Sequence, residues 1–163
     1  MRIERKLLIV EDEQSEIDNV SKFLPKLSIS FKAVKTLSDA FHALATEAFD
    51  YLLTDLHIET KAGFDRPDGL KVIENAREQQ PNLIIVANTS DPRADIWNEA
   101  LKAGAQHFIR KPLLKSDELV IAFSLAKERK LLTGKLNKNT SPTGLWSKYA
   151  GTYPHGIVID RLT

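Results

Sequence analysis

The sequence predicts an α/β domain: a five-stranded parallel sheet with helices on both faces. Three observations carry this. Short apolar runs alternate regularly with amphipathic stretches over the first two-thirds of the chain. The most apolar run, Leu83–Asn88, has no polar alternation, as expected of a strand covered on both faces. Each run is separated from the next by about the length of one helix, so consecutive strands are joined by helical crossovers and lie parallel.

The elements follow in order. "KLLIV" (Lys6 to Val10) is the first strand. "EQSEIDNVSKFL" places Ile17, Val20, Phe23 and Leu24 at helical spacing, and Pro25 marks that helix's end or a kink. "FKAVK" (Phe31 to Lys35) alternates with period two, a half-exposed strand. "LSDAFHALATEAF" opens on Ser38 as an N-cap and carries Ala40, Phe41, Leu44 and Ala48 on one face. "DYLLT" is the third strand, and "DGLKVIENAREQ" a helix with Leu70, Ile73 and Ala76 inward. After the fourth strand, "PRADIWNEALKAG" is a helix with Pro92 near its start and Gly104 as its stop. "QHFIR" is the fifth strand, and "SDELVIAFSLAKERKLL" the last helix. Right-handed crossovers leave few topologies, and the flavodoxin-like order 2-1-3-4-5 is the expected one. The domain is expected over residues 1–132, followed by a linker and extension over 133–163.

Composition narrows the function classes. The hydrophobic fraction is 42% and the charged fraction 28%, enough to build a core. With 23 basic and 22 acidic side chains there is no basic footprint, which argues against direct nucleic-acid binding. The absence of cysteine excludes disulfides and thiolate chemistry. The longest apolar runs are too short for a signal peptide or membrane span, so a cytoplasmic protein without a membrane anchor is expected.

In such sheets the ligand site lies beyond the carboxyl ends of the strands, at the switch point between the first and third. Glu11 and Asp12 follow the first strand, Asp55 the third, Thr89 the fourth, and Lys111-Pro112 the fifth. Singly, each has a structural explanation as a cap, turn former or solvated loop charge. Jointly they place three carboxylates in one small space, which repel unless protonated or neutralised by a cation. A hard divalent ion with oxygen ligands, Mg²⁺, suits that donor set. An ammonium from Lys111 and a hydroxyl from Thr89 would complete an array for phosphoryl oxygens, making Asp55 a credible nucleophile.

"LLIVEDE", "YLLTDL", "IIVANTS" and "GAQHFIRKPL" together resemble the four landmark segments of two-component response-regulator receiver domains, over roughly residues 4–132. The resemblance implies that Asp55 is the phosphoacceptor and that Glu11, Asp12, Asp55 and the backbone carbonyl of His57 hold Mg²⁺. It implies that Thr89 and Lys111 bind phosphoryl oxygens, that Phe108 is the aromatic switch partnered with Thr89, and that Pro112 follows a cis bond. A histidine kinase or phosphotransfer protein would be the donor and another protein the downstream target. The fourth helix, fifth strand and fifth helix would form the output and homodimer face, Trp97 among it. Such a domain accepts a phosphoryl group rather than acting as an enzyme on a separate substrate. His57 and Asp91 stand where family members tune loss of the phosphoryl group.

The chain departs from the family after Asp55. "LHIETKAGFDRPDG" inserts several residues before Asp68-Gly69, and Glu59 replaces a frequent proline. The 57–67 loop is open to three readings: a lid, a kinase-specificity element or a tolerated insertion. The tail from residue 136 carries Trp146, Tyr149 and Tyr153 and suggests docking on the domain or on a partner. The alternative function is a non-phosphorylated pseudo-receiver that binds partners through loop and tail; the full acidic cluster and Lys111 count against it. An aspartyl-phosphate hydrolase would need a second Asp where His57 stands, and dinucleotide binding lacks its glycine fingerprint.

Overall fold

The computed structural model of the chain describes residues 4–139. The chain divides into two units, 1–129 and 130–163, and the first holds the whole sheet. Its strands are β1 (Arg5–Val10), β2 (Ile29–Val34), β3 (Tyr51–Thr54), β4 (Ile84–Thr89) and β5 (His107–Arg110). All neighbouring pairs are parallel, in the order β2-β1-β3-β4-β5. The helices are α1 (Gln14–Ser21), α2 (Leu37–Thr46), α3 (Gly69–Gln79), α4 (Ala94–Ala103) and α5 (Ser116–Asn139).

The pleat sorts strand side chains onto two cores. Leu8, Val10, Leu52, Ile85 and Ala87 pack with Ala40, Leu44, Ile73, Ile96 and Ala100 of α2, α3 and α4. Leu7, Ile9, Leu53, Val86 and Ile109 pack with Ile17, Val20, Leu119, Ala122 and Phe123 of α1 and α5. Every residue of β4 is buried, which is why its sequence lacks alternation. The doubly covered sheet is as expected.

Boundaries shift where tertiary pairing overrides local pattern. β2 begins at Ile29 rather than Phe31, because it pairs with β1 over six positions from Arg5↔Ile29 to Val10↔Val34. Ser28, left-handed at φ 55°, turns the chain directly into it. α1 stops at Ser21, and Phe23 lies outside it. Pro25 sits instead in a separate 3₁₀ turn, Leu24–Leu27, since it lacks the N–H that continuing the helix would require. The N-cap of α2 is Thr36, not Ser38: its Oγ1 accepts from the Asp39 N–H at 3.1 Å. Ala48 lies beyond α2 and is exposed, and Phe49 is buried instead. Thr89 is the last residue of β4 rather than the first after it. Gly104 ends α4 as expected, at φ 131°, a conformation L side chains rarely adopt. α5 continues through Gly134 to Asn139, past the expected stop at Leu132. The tail aromatics Trp146, Tyr149 and Tyr153 lie outside the described residues. Among the described residues no helix is long and apolar enough to cross a membrane.

Candidate functional site

The parallel ladder runs one residue beyond three of its strands, and this sets the site. The Glu11 N–H donates to the Val34 carbonyl at 3.0 Å, Asp55 N–H to the Val10 carbonyl at 2.9 Å, and Lys111 N–H to the Thr89 carbonyl at 3.0 Å. Three side chains far apart in sequence therefore leave the sheet at one edge with their backbones pinned. Ligand oxygens of Glu11, Asp12 and Asp55 lie within 4.8 Å of one another. Asp12 is exposed at the rim, whereas Glu11 and Asp55 are 4% and 8% exposed.

Lys111 is the counterion. Its Nζ donates to Asp55 Oδ2 at 2.8 Å and is paired with Glu11 Oε2 as well. The other oxygen of Asp55, Oδ1, accepts from the His57 N–H at 3.2 Å. The Lys111–Pro112 bond is cis. Burial pushes the Glu11 carboxyl from 4.5 up to about 7, with Lys111 opposing. Burial likewise raises Asp55, against the pull of Lys111. Once both are ionised, two buried carboxylates facing one ammonium leave net negative charge in a poorly solvated space. An all-oxygen donor set with excess negative charge fits a hard divalent cation. Asn88 Oδ1, buried without a partner, lines the same cavity with Glu11, Glu16 and Asp55.

This electrostatic state has a measurable consequence. Between pH 4.5 and about 7 the folded Glu11 holds a proton that the unfolded chain has released. The folded state then binds more protons, so stability contributed by this group falls as pH rises through that window. The half-buried His107, whose proton affinity is lowered by desolvation, acts in the opposite direction below 6.5. The Glu11 effect is therefore read as a difference between proteins. In urea unfolding without divalent cations, wild type minus Glu11→Gln should become less favourable from pH 4.5 to about 7. A pH-independent difference would show that Glu11 ionises normally.

The remaining expected residues occupy a second cluster. The Thr89 side chain, 1% exposed, accepts the Asp91 N–H at 3.1 Å within its own turn. Phe108 is half-buried and stacks on Trp97, ring centroids 4.6 Å apart. The His57 ring does not face Asp55: Nε2 lies 2.7 Å from Asp91 Oδ2 and Nδ1 2.9 Å from Thr60 Oγ1.

The loop after β3 is braced rather than loose. Ile58 is buried in the core beneath α2 and α3. Asp68, itself 8% exposed, accepts from the N–H groups of Ile58 at 2.9 Å and Glu59 at 2.8 Å and from the Thr60 hydroxyl at 3.0 Å. Lys61 to Asp65 close a turn, with Gly63 at φ 83°. Gly69 lets α3 approach: its N–H donates to the Leu56 carbonyl at 2.8 Å, under the phosphoacceptor candidate. In the sequence Asp68-Gly69 is a spacing landmark only, and nothing there marks Arg93.

The response regulator receiver domain family matches residues 7–124. The chain belongs to that family. The receiver is 28% identical over 109 residues to the response regulator protein PilR of Pseudomonas aeruginosa, covering 67% of this chain and 23% of PilR. It is 30% identical over 138 residues to the regulatory protein LuxO of Vibrio cholerae, covering 83% of this chain and 29% of LuxO. The chain thus spans under a third of each of these relatives. A CheY-like receiver domain from Methanospirillum hungatei superposes with a TM-score of 0.65 at 20% identity, over 78% of this chain and 96% of that one. A response regulator from Burkholderia pseudomallei, crystallised with a phosphorylated aspartic acid, a calcium ion and citrate, gives 0.65 at 18% identity, over 98% and 87%. These structures share the fold. The receiver is a domain of two-component signalling.

Proposed function

We propose that this receiver is phosphorylated on Asp55 in a Mg²⁺-dependent reaction and signals through protein contacts. The observation that carries this is Lys111 Nζ bridging Asp55 Oδ2 and Glu11 at the carboxyl edge of the sheet. Glu11, Asp12, Asp55 and the His57 backbone carbonyl would hold Mg²⁺, which when bound neutralises phosphoryl oxygens. An Asp55 carboxylate oxygen attacks phosphorus, the bond from phosphorus to the donor's imidazole nitrogen breaks, and that electron pair leaves with the imidazole, which takes up a proton. The product is an acyl phosphate. Its added charge, roughly −1.5 to −2, draws the Lys111 ammonium onto a phosphoryl oxygen and offers the Thr89 hydroxyl an acceptor. Phe108 would then follow Thr89.

The domain on this reading spans residues 1–132, with 133–163 an extension that is not an independent domain. The donor is a histidine kinase or phosphotransfer protein, and the receiver an acceptor that accelerates gain and loss of its own phosphoryl group. The α4–β5–α5 face is the place for a homodimer or downstream protein; Leu101, Val120, Ile121 and Leu125 are exposed on it. No nucleic-acid contact is assigned, and the protein is placed in the cytoplasm, where its donors act. The pseudo-receiver reading gains nothing from a site in which all the ionic residues converge.

Acetyl phosphate with Mg²⁺ supplies the test. Intact mass should show one phosphoryl addition to the wild type, lost in Asp55→Asn and on chelating the metal. An unmodified wild type at saturating Mg²⁺, or an addition that survives Asp55→Asn, would refute the assignment.

A further inference from the structure

The insertion after β3 and the turn after β4 are joined through one buried side chain. Asp91 is fully buried, and both its oxygens are occupied. Oδ1 accepts from the Arg93 N–H at 3.0 Å and its Nε at 2.9 Å. Oδ2 receives Arg93 Nη2 at 2.5 Å, His57 Nε2 at 2.7 Å and the Gly63 N–H at 3.3 Å. Arg93 Nη2 also donates to the Asp65 carbonyl at 3.0 Å, so the guanidinium clasps the loop from outside. Hydrogen bonding from Arg93 holds the Asp91 carboxyl well below the usual carboxylate range, so it carries full charge.

The backbone of the same residue faces the switch. The Asp91 N–H donates to Thr89 Oγ1 at 3.1 Å, and its carbonyl accepts from Trp97 Nε1 at 2.9 Å. Trp97 in turn stacks on Phe108. One residue therefore touches the inserted loop by its side chain and both members of the switch pair by its backbone, directly or through Trp97.

We propose that Asp91 is a positioning residue, through which the 57–67 loop restrains Thr89 from moving toward a modified Asp55. This rests on the phosphoacceptor reading above. Displacing the Thr89–Asp91 turn while the carboxylate stays clamped strains charge-assisted hydrogen bonds in a site with little water to replace them. The unmodified form is favoured for as long as the loop is seated. The insertion so acts as a brace on activation, and neither as an inert addition nor as a cover that merely excludes solvent.

Asp91→Ala would empty a buried polar site and endanger folding, so the test uses Arg93→Ala, with Arg93→Lys keeping charge without the fork. A Trp146→Phe background leaves Trp97 as the sole tryptophan. Hydrogen exchange on the unmodified protein comes first. Arg93→Ala should speed exchange at the Gly63 and Asp91 amides together, leave Val86 in β4 unchanged, and be partly reversed by Arg93→Lys. Faster exchange at Gly63 with Asp91 unaltered would overturn the coupling. The second arm titrates beryllium fluoride with Mg²⁺, read by Trp97 fluorescence. Arg93→Ala should bind about 5-fold more tightly than its parent, the low end of typical coupling between sites. Equal or weaker binding by Arg93→Ala overturns the brace. If the parent itself fails to bind, the Asp55 assignment has failed, and the exchange arm still decides whether loop and turn move together.

Discussion

Gly69→Ala is expected to destabilise the domain by about 3 kcal/mol or more, at the upper end for an overpacked methyl. A Cβ there would lie 2.2 Å from the Asp55 carbonyl oxygen, 2.7 Å from Leu56 Cα and 2.8 Å from the Leu56 carbonyl oxygen. All three are backbone atoms of the segment that presents the Asp55 carboxylate, so no side-chain rotation relieves the clash. α3 must tilt away, weakening the Gly69 N–H bond to the Leu56 carbonyl and the Asp68 clasp on the loop. Urea unfolding should show a lower midpoint with an unchanged slope, the sign of lost stability without a changed unfolded state. A loss below about 1 kcal/mol would mean that the helix slides freely at this end.

Lys111→Ala should have an effect of similar size but with a distinctive dependence on conditions. It removes the ammonium from between Glu11 and Asp55, leaving two mostly buried carboxylates facing each other. Removing one partner of a buried ion pair typically costs about 3–5 kcal/mol. Here protonation offers an escape. Without the lysine both carboxyls hold their protons more tightly, so the cost is smaller under mild acid and grows as pH rises above the point where Glu11 ionises, about 7. Mg²⁺ added to the variant should recover much of the loss, because a cation bound only by the folded state stabilises it by mass action. A penalty that is the same on both sides of neutrality, with no response to Mg²⁺, would mean that Lys111 acts by packing rather than charge.

The two changes probe different origins of the same site. Lys111, Glu11, Asp12 and Asp55 were legible because each follows a strand whose apolar pattern is strong, and the topology of parallel sheets sends strand ends to one edge. Gly69 was visible only as a landmark, since a glycine opening a helix has many causes. Only the separation between α3 and the Asp55–Leu56 backbone reveals the cause here. Ser38 misled for a related reason: Thr36 and Ser38 are both capping types, and the choice depends on where the chain leaves β2. Arg93 left no mark at all, because an arginine two residues after an aspartate is ordinary on a loop.

Hydrophobic periodicity and the residues that end the strands determined by themselves the sheet, its order and the convergence of acids with one lysine, since these follow from local pattern and chain connectivity. The destination of the His57 ring, the seat of the inserted loop and the clamp at Asp91 were decided only in three dimensions. Their partners are 34 residues apart for His57 and Asp91, and 28 for Gly63 and Asp91. Nothing in local sequence encodes which of several polar groups a buried carboxylate meets; the packing that excludes water there makes the selection.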